Sequence, residues 1–375
     1  MTARHYRVAA IPGDGIGPEV VGAARAVVDA AGATFGFTIE WQELIVGGAA
    51  IDRYGRAIRD DDLAACRAAD AVLLGAVGGP RWDDPGAAVR PEQALFAMRG
   101  GLGLYANLRP VTVDAPLVDA SPLRRERLDG VDLLILRELT GGLYFGKPSE
   151  ERVTDGGREA IDTLVYTEGE IRRLVRLGFE MARGRRRHVT SVDKANVLAT
   201  SRLWRKVVEE TRVDFPDVTV DHRLVDAAAM LLIQRPADFD VIVTENLFGD
   251  ILSDEASVLA GSLGMLPSAS LGARMTAVGH FGLYEPIHGS APDIAGQGKA
   301  NPIGTIRSAA MLLRWSLGER EAADAVERAV SGALADGHGT VDLGRGDDTG
   351  AMTTAIIGRL PGQVVVVGQA ARAGR

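Results

Sequence analysis

The segment 246–255 (NLFGDILSDE) contains two aspartates whose spacing suits a divalent cation. Asp250 and Asp254 are four residues apart, so in a helix both carboxylates lie on one face, with Cβ atoms about 5–6 Å apart. Like charges at this spacing repel unless a cation lies between them, and Mg²⁺ prefers such oxygen ligands. The segment follows a strand-like run, and open α/β sheets bind ligands at the carboxyl ends of their strands. The alternative is a first-turn aspartate favoured by the helix dipole, followed by a solvated one.

Two residues elsewhere are candidates for the same chemistry. Asp226 lies at the edge of an apolar run, where a helix N-terminus would also explain it, but Mg²⁺ needs more than two ligands. Lys194 follows a strand-like run, and a lysine beside a metal ion can lose its proton near neutrality and act as a base. The alternative is a surface lysine paired with Asp193. Only four of the 42 basic residues are lysines.

Three arginines and one tyrosine suit an acidic substrate. Arg99, Arg109 and Arg137 follow strand or turn signals, and the planar guanidinium group pairs with a carboxylate through two hydrogen bonds. Three together would bind a dicarboxylate, whereas any one of the 42 − 4 = 38 arginines is typical of a protein surface. Tyr144, in a glycine-rich segment, is a candidate general acid, although most tyrosines in such segments simply pack.

Two glycine-rich segments bear on nucleotide binding. The segment 13–19 (GDGIGPE) has Pro18 where the standard dinucleotide fingerprint has its third glycine, so that fingerprint is missing. The segment 285–301 combines glycine, serine and proline with a histidine and two acids. It predicts an ordered loop whose backbone holds a nucleotide in another way.

Strand and helix patterns alternate along most of the chain, which predicts an α/β fold with a largely parallel sheet. A first helix is predicted from Pro18 to Gly32, and another over about 197–211. The segment 140–167 breaks the alternation, and its β-prone pieces, 142–145 and 163–166, favour an intersubunit β-arm over a surface loop. The predicted strands are 8–11, 71–74, 131–136, 188–192 and 240–244.

Composition excludes several classes of protein. The 375 residues are 46% hydrophobic, which allows about two domains. The net charge of −8 disfavours nucleic acid, and the basic segment 183–188 is predicted to be a solvated turn. The sequence has no apolar run long enough for a membrane span and no signal peptide. Its one cysteine, Cys66, is interpreted as a packed residue in a reducing compartment, so we expect a cytoplasmic protein.

Taken in order from Gly13 to about Gly318, these segments resemble the β-decarboxylating dehydrogenases, the family of isocitrate and isopropylmalate dehydrogenases. The resemblance implies an α/β fold of two domains, different from the Rossmann fold. Residues 1–104 and 261–375 would form a first domain with most of the NAD site. Residues 105–260 would form a second, with the dimer interface and the arm. The most specific segments are 105–110 (YANLRP), 137–142 (RELTGG), 246–255, 267–272 (PSASLG) and 285–301.

The resemblance also implies a homodimer with shared active sites. Asp250 and Asp254 of one subunit, with Asp226 of the other, would hold Mg²⁺ or Mn²⁺ against the substrate. Lys194, also from the second subunit, would act as the base. Tyr144 would protonate the enol formed after decarboxylation.

Substrate and cofactor contacts follow from the same resemblance. Arg99, Arg109 and Arg137, with Asp226, would contact the malate part of the substrate, and Leu95, followed by Phe96, falls where the family packs an isopropyl group. An anion at Asp293 would favour NAD over NADP. The residues expected to contact NAD are Glu92, Glu285, His288, Gly289, Ser290, Ala291, Asp293, Ile294 and Asn301.

The segment 137–142 resembles the isopropylmalate branch, since isocitrate relatives usually have asparagine in place of Leu139. The expected activity is NAD-dependent oxidative decarboxylation of 3-isopropylmalate to 4-methyl-2-oxopentanoate, in leucine biosynthesis. Gly100, Phe96, Glu245 and the segment 337–350 depart from the family pattern. A paralogue acting on another 3-substituted malate is therefore the alternative, and a non-catalytic regulatory subunit is a more distant one.

Overall fold

The computed structural model describes residues 4–84 and 86–362, which form a large mixed sheet flanked by helices and a separate hairpin. The strands are β1 (Arg4–Gly13), β2 (Phe37–Glu43), β3 (Ala71–Ala76), β4 (Leu104–Thr112), β5 (Asp132–Glu138), β6 (Glu150–Thr154), β7 (Gly157–Ile161), β8 (His188–Asp193), β9 (Thr219–Leu224), β10 (Val241–Thr244), β11 (Pro267–Met275) and β12 (His280–Pro286).

The ten-stranded sheet has the order β2-β1-β3-β12-β11-β4-β5-β10-β8-β9. Six of its nine neighbouring pairs are parallel, which confirms the predicted α/β class with a largely parallel sheet. The three antiparallel pairs are central: β12 with β11, β11 with β4, and β4 with β5. A four-residue turn joins β11 to β12, which only an antiparallel pair permits. The five predicted strands correspond to β1, β3, β5, β8 and β10.

The helices cover the sheet and bury one main apolar core along it. Their bounds are α1 (Gly17–Phe35), α2 (Gly48–Tyr54), α3 (Asp60–Ala68), α4 (Glu92–Gly101), α5 (Arg125–Leu128), α6 (Glu168–Arg183), α7 (Ala199–Thr211), α8 (Val225–Gln234), α9 (Asn246–Ser257), α10 (Ile303–Trp315), α11 (Arg320–Ala335) and α12 (Thr349–Ile357). Among residues 4–84 and 86–362, none of the helices combines the length and the apolar composition that a membrane crossing requires.

The predicted end of α1 at Gly32 is wrong. The helix continues to Phe35, and Gly36 closes it in the left-handed conformation at φ 76°. Gly32 lies inside the helix, and the position needs a glycine because a Cβ there would come within 2.7 Å of the Phe37 carbonyl oxygen.

The predicted arm contains a β-hairpin, but its strands are not the predicted pieces. Residues 142–145 form a tight turn, in which the N–H of Gly146 donates to the Gly142 carbonyl, and 163–166 has no strand. The antiparallel strands are β6 and β7, whose side chains are almost all exposed, with Val153 at 83%. A two-stranded hairpin without a core on either face is marginal by itself.

Two smaller predictions concern single features. The basic segment 183–188 contains a turn over residues 184–187, between the end of α6 and the start of β8, but it is not simply solvated, because Arg185 reaches Asp240 at 2.8 Å and Asp132 at 2.7 Å. Cys66 is buried, and burial raises the pKa of its thiol to about 12, which fits a packing role. The division into two domains stays a prediction, and its last stretch, 363–375, lies outside the described residues.

Candidate active site

A cleft of about 650 Å³ opens where β5 and β10 end. Arg137 is at the end of β5, and Asn246 and Asp250 follow β10 at the start of α9. All three predicted substrate arginines line this cleft, together with Tyr144. The full lining is Phe96, Arg99, Arg109, Arg137, Leu139, Leu143, Tyr144, Phe145, Ser149, Asp162, Asn246 and Asp250.

The aspartates of α9 are balanced by arginines. Asp250 pairs with the guanidinium of Arg137 and accepts a hydrogen bond of 3.0 Å from the Tyr144 hydroxyl. Asp254 accepts a 2.8 Å bond from Arg109, which is also 3.8 Å from Asp250. The two carboxylates, one helical turn apart, thus pair with two guanidinium groups. Binding of a cation to the carboxylates, or of a substrate to the arginines, would have to replace these ion pairs.

The surroundings of Tyr144 and Arg137 affect their protonation. Burial, and then the hydrogen bond to Asp250, raise the pKa of Tyr144, so this hydroxyl keeps its proton for a general-acid role. Burial lowers the pKa of Arg137, and the charge of Asp250 opposes that effect. Asn246 also accepts a 3.0 Å bond from Nε of Arg137 and fixes the guanidinium plane.

Several supporting residues were not found by sequence reasoning. Asn107 accepts from Nε of Arg109 at 2.9 Å, and Ser253 accepts from its Nη1 at 2.8 Å. Glu285, which is expected to contact NAD, lies 3.5 Å from Arg99, and this pairing with a substrate arginine was not predicted. The signal for Asn107 was available, because residues two apart on a strand point to one face.

Lys194 and Asp226 lie together but do not line the cleft. Nζ of Lys194 donates to Asp226 at 2.5 Å, and this bond lowers the pKa of that carboxyl. The alternative pairing of Lys194 with Asp193 is wrong, because Asp193 is buried and bound through two hydrogen bonds by Arg205. Within one chain, Lys194 and Asp226 therefore lie apart from the other predicted substrate, metal and acid residues. Those six residues are in or beside the cleft: Arg99, Arg109, Arg137, Tyr144, Asp250 and Asp254.

The two aspartates of α9 fit part of a divalent-cation site. Their oxygens are the hard donors that Mg²⁺ and Mn²⁺ accept, and they lie on one helix face. In the described ranges, 4–84 and 86–362, no group of three or more His, Cys, Asp or Glu residues is placed to hold a metal ion. A complete coordination shell therefore needs donors from substrate, water or a second copy of the chain.

The glycine-rich segment after β1 supports its neighbours. The carboxylate of Asp14 accepts backbone N–H bonds of 2.7 to 2.9 Å from Gly48, Ala49 and Gly78, and so ties three segments together. Gly15 lies against the loop that follows β12, where a Cβ would meet the Ser290 carbonyl oxygen at 1.9 Å. The first glycine cluster thus positions the second, predicted nucleotide loop.

That loop, from residue 287 to 302, contains both buried and exposed residues. Ser290 and Asn301 are buried, Asp293 and Gly289 are exposed, and Ala291 and Ile294 pack on a small core of Ile16, Val20 and Ala300. His288 has a buried Nε2 without a hydrogen-bond partner, and burial lowers the pKa of this ring. An unpartnered ring nitrogen and an exposed carboxylate fit a polar ligand such as NAD.

Two further predicted contacts lie on α4. Glu92 is in the first turn of this helix, near Gly78. Leu95 packs against the second core cluster and does not line the cleft, whereas Phe96, which is 59% exposed, does. The apolar wall of the cleft thus consists of Phe96 with Leu139, Leu143 and Phe145.

Glu245, one of the departures from the family pattern, is buried beside the cleft. It accepts the N–H of Phe248 at 2.8 Å and caps α9, and burial raises its pKa. Ionising this buried acid destabilises the fold. The destabilisation is absent below the ordinary glutamate pKa of 4.5 and grows as the pH rises to the pKa of the folded state.

We therefore expect Glu245→Gln to be more stable than the wild type at about pH 8, with a gain in the free energy of unfolding that shrinks towards pH 5. Urea unfolding across this range measures the gain; a gain independent of pH would contradict the expectation.

Comparison with known proteins identifies the family of this chain. The family model described as isocitrate/isopropylmalate dehydrogenase matches residues 7–358. The 3-isopropylmalate dehydrogenase of Anaeromyxobacter dehalogenans is 57% identical over 94% of this chain and 99% of its own length. That of Geobacillus kaustophilus is 58% identical over 90% of each. The isocitrate dehydrogenase structure from Methylococcus capsulatus superposes with a TM-score of 0.81 at 36% identity, over 95% of this chain and 99% of that one. The chain therefore belongs to the isocitrate/isopropylmalate dehydrogenase family.

Proposed function

We propose that this dehydrogenase oxidises 3-isopropylmalate with NAD and releases one carboxylate as CO₂, giving 4-methyl-2-oxopentanoate in leucine biosynthesis. The observation that carries the proposal is one cleft in which three guanidinium groups face an apolar wall. The curated relatives named 3-isopropylmalate dehydrogenase, at 56–58% identity, support this substrate over isocitrate. A cytoplasmic location is part of the proposal and agrees with a single, buried cysteine.

The substrate is matched group by group. Arg99, Arg109 and Arg137 supply enough positive charge for the two carboxylates of a malate. Phe96 and Leu139 provide apolar surface for its alkyl substituent. The third carboxylate of isocitrate would instead be desolvated against this wall, which is unfavourable without a partner.

The reaction needs a divalent metal ion and a nucleotide cofactor, which the protein would bind. Asp250 and Asp254 of one subunit with Asp226 of the other would hold Mg²⁺ or Mn²⁺, and the loop 285–301 with Glu92 would hold NAD. When bound, these groups stabilise negative charge on the substrate oxygens and accept a hydride.

The side chains then handle the protons. Lys194 of a second subunit takes the hydroxyl proton as the hydride leaves the adjoining carbon. The product is a ketone β to a carboxylate, so loss of CO₂ leaves the bonding electron pair on the substrate as an enolate. Tyr144, whose pKa is raised by burial, returns a proton to the carbon.

A homodimer is part of the proposal. Helices α8 and α9 pack on each other, yet each exposes a large apolar side chain, Met230 at 58% and Ile251 at 57%, and Val258, directly after α9, is 47% exposed. Asp226 is on α8, and Asp250 and Asp254 are on α9, but the two sets do not meet in one chain. A twofold pairing of these helices would cover the apolar faces and complete the metal site.

Phe96 tests the alkyl pocket. We expect Phe96→Ala to raise KM for 3-isopropylmalate roughly tenfold, since lost apolar contact at a pocket is worth about 1–3 kcal/mol. KM for unsubstituted malate should change less, because it has no alkyl group to contact the ring. Steady-state kinetics with both substrates measures the ratio; equal changes would place the alkyl group elsewhere.

The deciding assay is NADH formation with Mg²⁺ and 3-isopropylmalate, compared with isocitrate, malate and a series of 3-alkyl- and 3-arylmalates. Preference for 3-isopropylmalate is expected. Preference for another substituent would indicate the paralogue, for which Phe96 and Glu245 are the residues to examine. Inactivity of the metal-loaded protein on all of them would favour the regulatory subunit.

A further inference from the structure

Behind the cleft, three buried side chains converge. Glu138 ends β5 and is fully buried, Tyr166 is 7% exposed, and Glu245 is 6% exposed at the start of α9. The hydroxyl of Tyr166 lies 3.4 Å from Oε2 of Glu245 and 3.5 Å from Oε2 of Glu138. Two acids thus share one hydroxyl group, which has a single proton to donate.

Both acids also accept hydrogen bonds from the backbone, and Glu138 in addition accepts the Thr140 hydroxyl at 2.5 Å and lies 3.3 Å from the Arg173 guanidinium. Glu138 accepts the N–H groups of Thr140 and Gly141 at 2.8 and 2.7 Å. Glu245 accepts the N–H of Phe248 at 2.8 Å. The acids therefore hold two backbone segments that border the cleft: the turn after β5 and the first turn of α9.

Tyr166 connects these segments to the substrate arginine. Its hydroxyl oxygen accepts the backbone N–H of Asn246 at 2.9 Å. The Asn246 side chain donates to the Gly141 carbonyl at 3.1 Å and accepts from Nε of Arg137 at 3.0 Å. Arg137 in turn pairs with Asp250.

We propose that Tyr166 and Glu245 are positioning residues, which fix the start of α9 and, through Asn246, the orientation of the Arg137 guanidinium for substrate binding. Neither side chain lines the cleft, so they act through Asn246 and not on the substrate. The kinetic part of this inference rests on the proposed function.

The test is Tyr166→Phe against a matched control, Tyr284→Phe. Tyr284 is buried as well, and its hydroxyl on β12 is 2.8 Å from Ser316, which follows α10 and lies outside the cleft lining. Each variant removes one buried, hydrogen-bonded hydroxyl. We expect Tyr166→Phe to lower kcat/KM for 3-isopropylmalate about tenfold, mainly through KM, with KM for NAD unchanged. Tyr284→Phe should retain the wild-type values.

Glu245 provides a second pair of variants in case Tyr166→Phe does not fold. Glu245→Gln keeps an oxygen for the Phe248 N–H and should retain at least about half of kcat/KM, whereas Glu245→Ala should lose about tenfold. Equal kinetics of the two variants would overturn the proposal, as would equal effects of Tyr166→Phe and Tyr284→Phe.

Hydrogen exchange separates this proposal from the proposed function. The backbone amides of residues 246–250 should exchange faster in Tyr166→Phe than in the wild type or in Tyr284→Phe, whatever the substrate. Unchanged exchange would overturn the positioning role. An inactive wild type with faster exchange in Tyr166→Phe would overturn only the proposed reaction.

Discussion

Replacing Lys194 with alanine should lower kcat about 10²–10⁴-fold, the usual contribution of a general base. The ammonium group donates to Asp226 at 2.5 Å, so the side chain is directed at a proposed metal ligand. Steady-state kinetics at saturating substrate measures the loss. Titration of NAD, followed by calorimetry, should give a nearly unchanged Kd.

Lys206→Ala is the matched control, because Lys206 is an exposed lysine on the nearby helix α7. It should retain the wild-type rate. If Lys194→Ala weakened NAD binding as much as it lowered kcat, Lys194 would be structural, and the proposed proton transfer would need another base.

Replacing Asp250 with asparagine should lower turnover about a thousandfold or more, since metal stabilisation of developing charge is worth several kcal/mol. Asp250 also balances Arg137 and accepts from Tyr144, so the substitution disturbs the partners of two further site residues. Titration of Mn²⁺, followed by its electron spin resonance signal, should show much weaker binding.

Glu255→Gln is the control on the same helix, because Glu255 is partly buried and close in sequence but outside the cleft lining. It should bind Mn²⁺ as the wild type does. Tight Mn²⁺ binding by Asp250→Asn would exclude Asp250 as a ligand and leave its pairing with Arg137 as its role.

The two inactive variants together test whether sites are shared. In a mixed dimer of Lys194→Ala and Asp250→Asn subunits, one site would have both mutations and the other neither. Random mixing should therefore restore about a quarter of the wild-type activity in a twofold dimer. No recovery would indicate that each chain uses its own Lys194.

Much of the fold was predictable because its strands are apolar runs separated by turn residues, as in β3 and β10. The hairpin β6–β7 was misplaced, since its residues have little apolar alternation, and Val153 has no core to face. The ends of helices were also hard to predict: Gly32 has the residue type of a helix end, but the close approach of Phe37 accounts for this glycine, and the helix continues to Phe35.

The candidate site was predictable where one helix or strand carries the pattern, as for Asp250 and Asp254. It was less so where partners come from distant segments. Glu285 pairs with Arg99, which is 186 residues away in the sequence, and Tyr166 contacts Asn246, which is 80 residues away. Residue spacing within a short segment cannot predict such contacts.

The continuous sheet has a consequence for any movement of the cleft walls. Strands β11 and β4 are neighbours at its centre and are hydrogen-bonded to each other, with an irregular register near Leu271 and Gly272. Arg109 lies on β4, while Arg99 precedes that strand on α4. A movement that brings Arg109 closer to Arg99 would therefore have to distort the hydrogen bonds between β4 and β11. The paired strands would resist such a movement more than a flexible loop would.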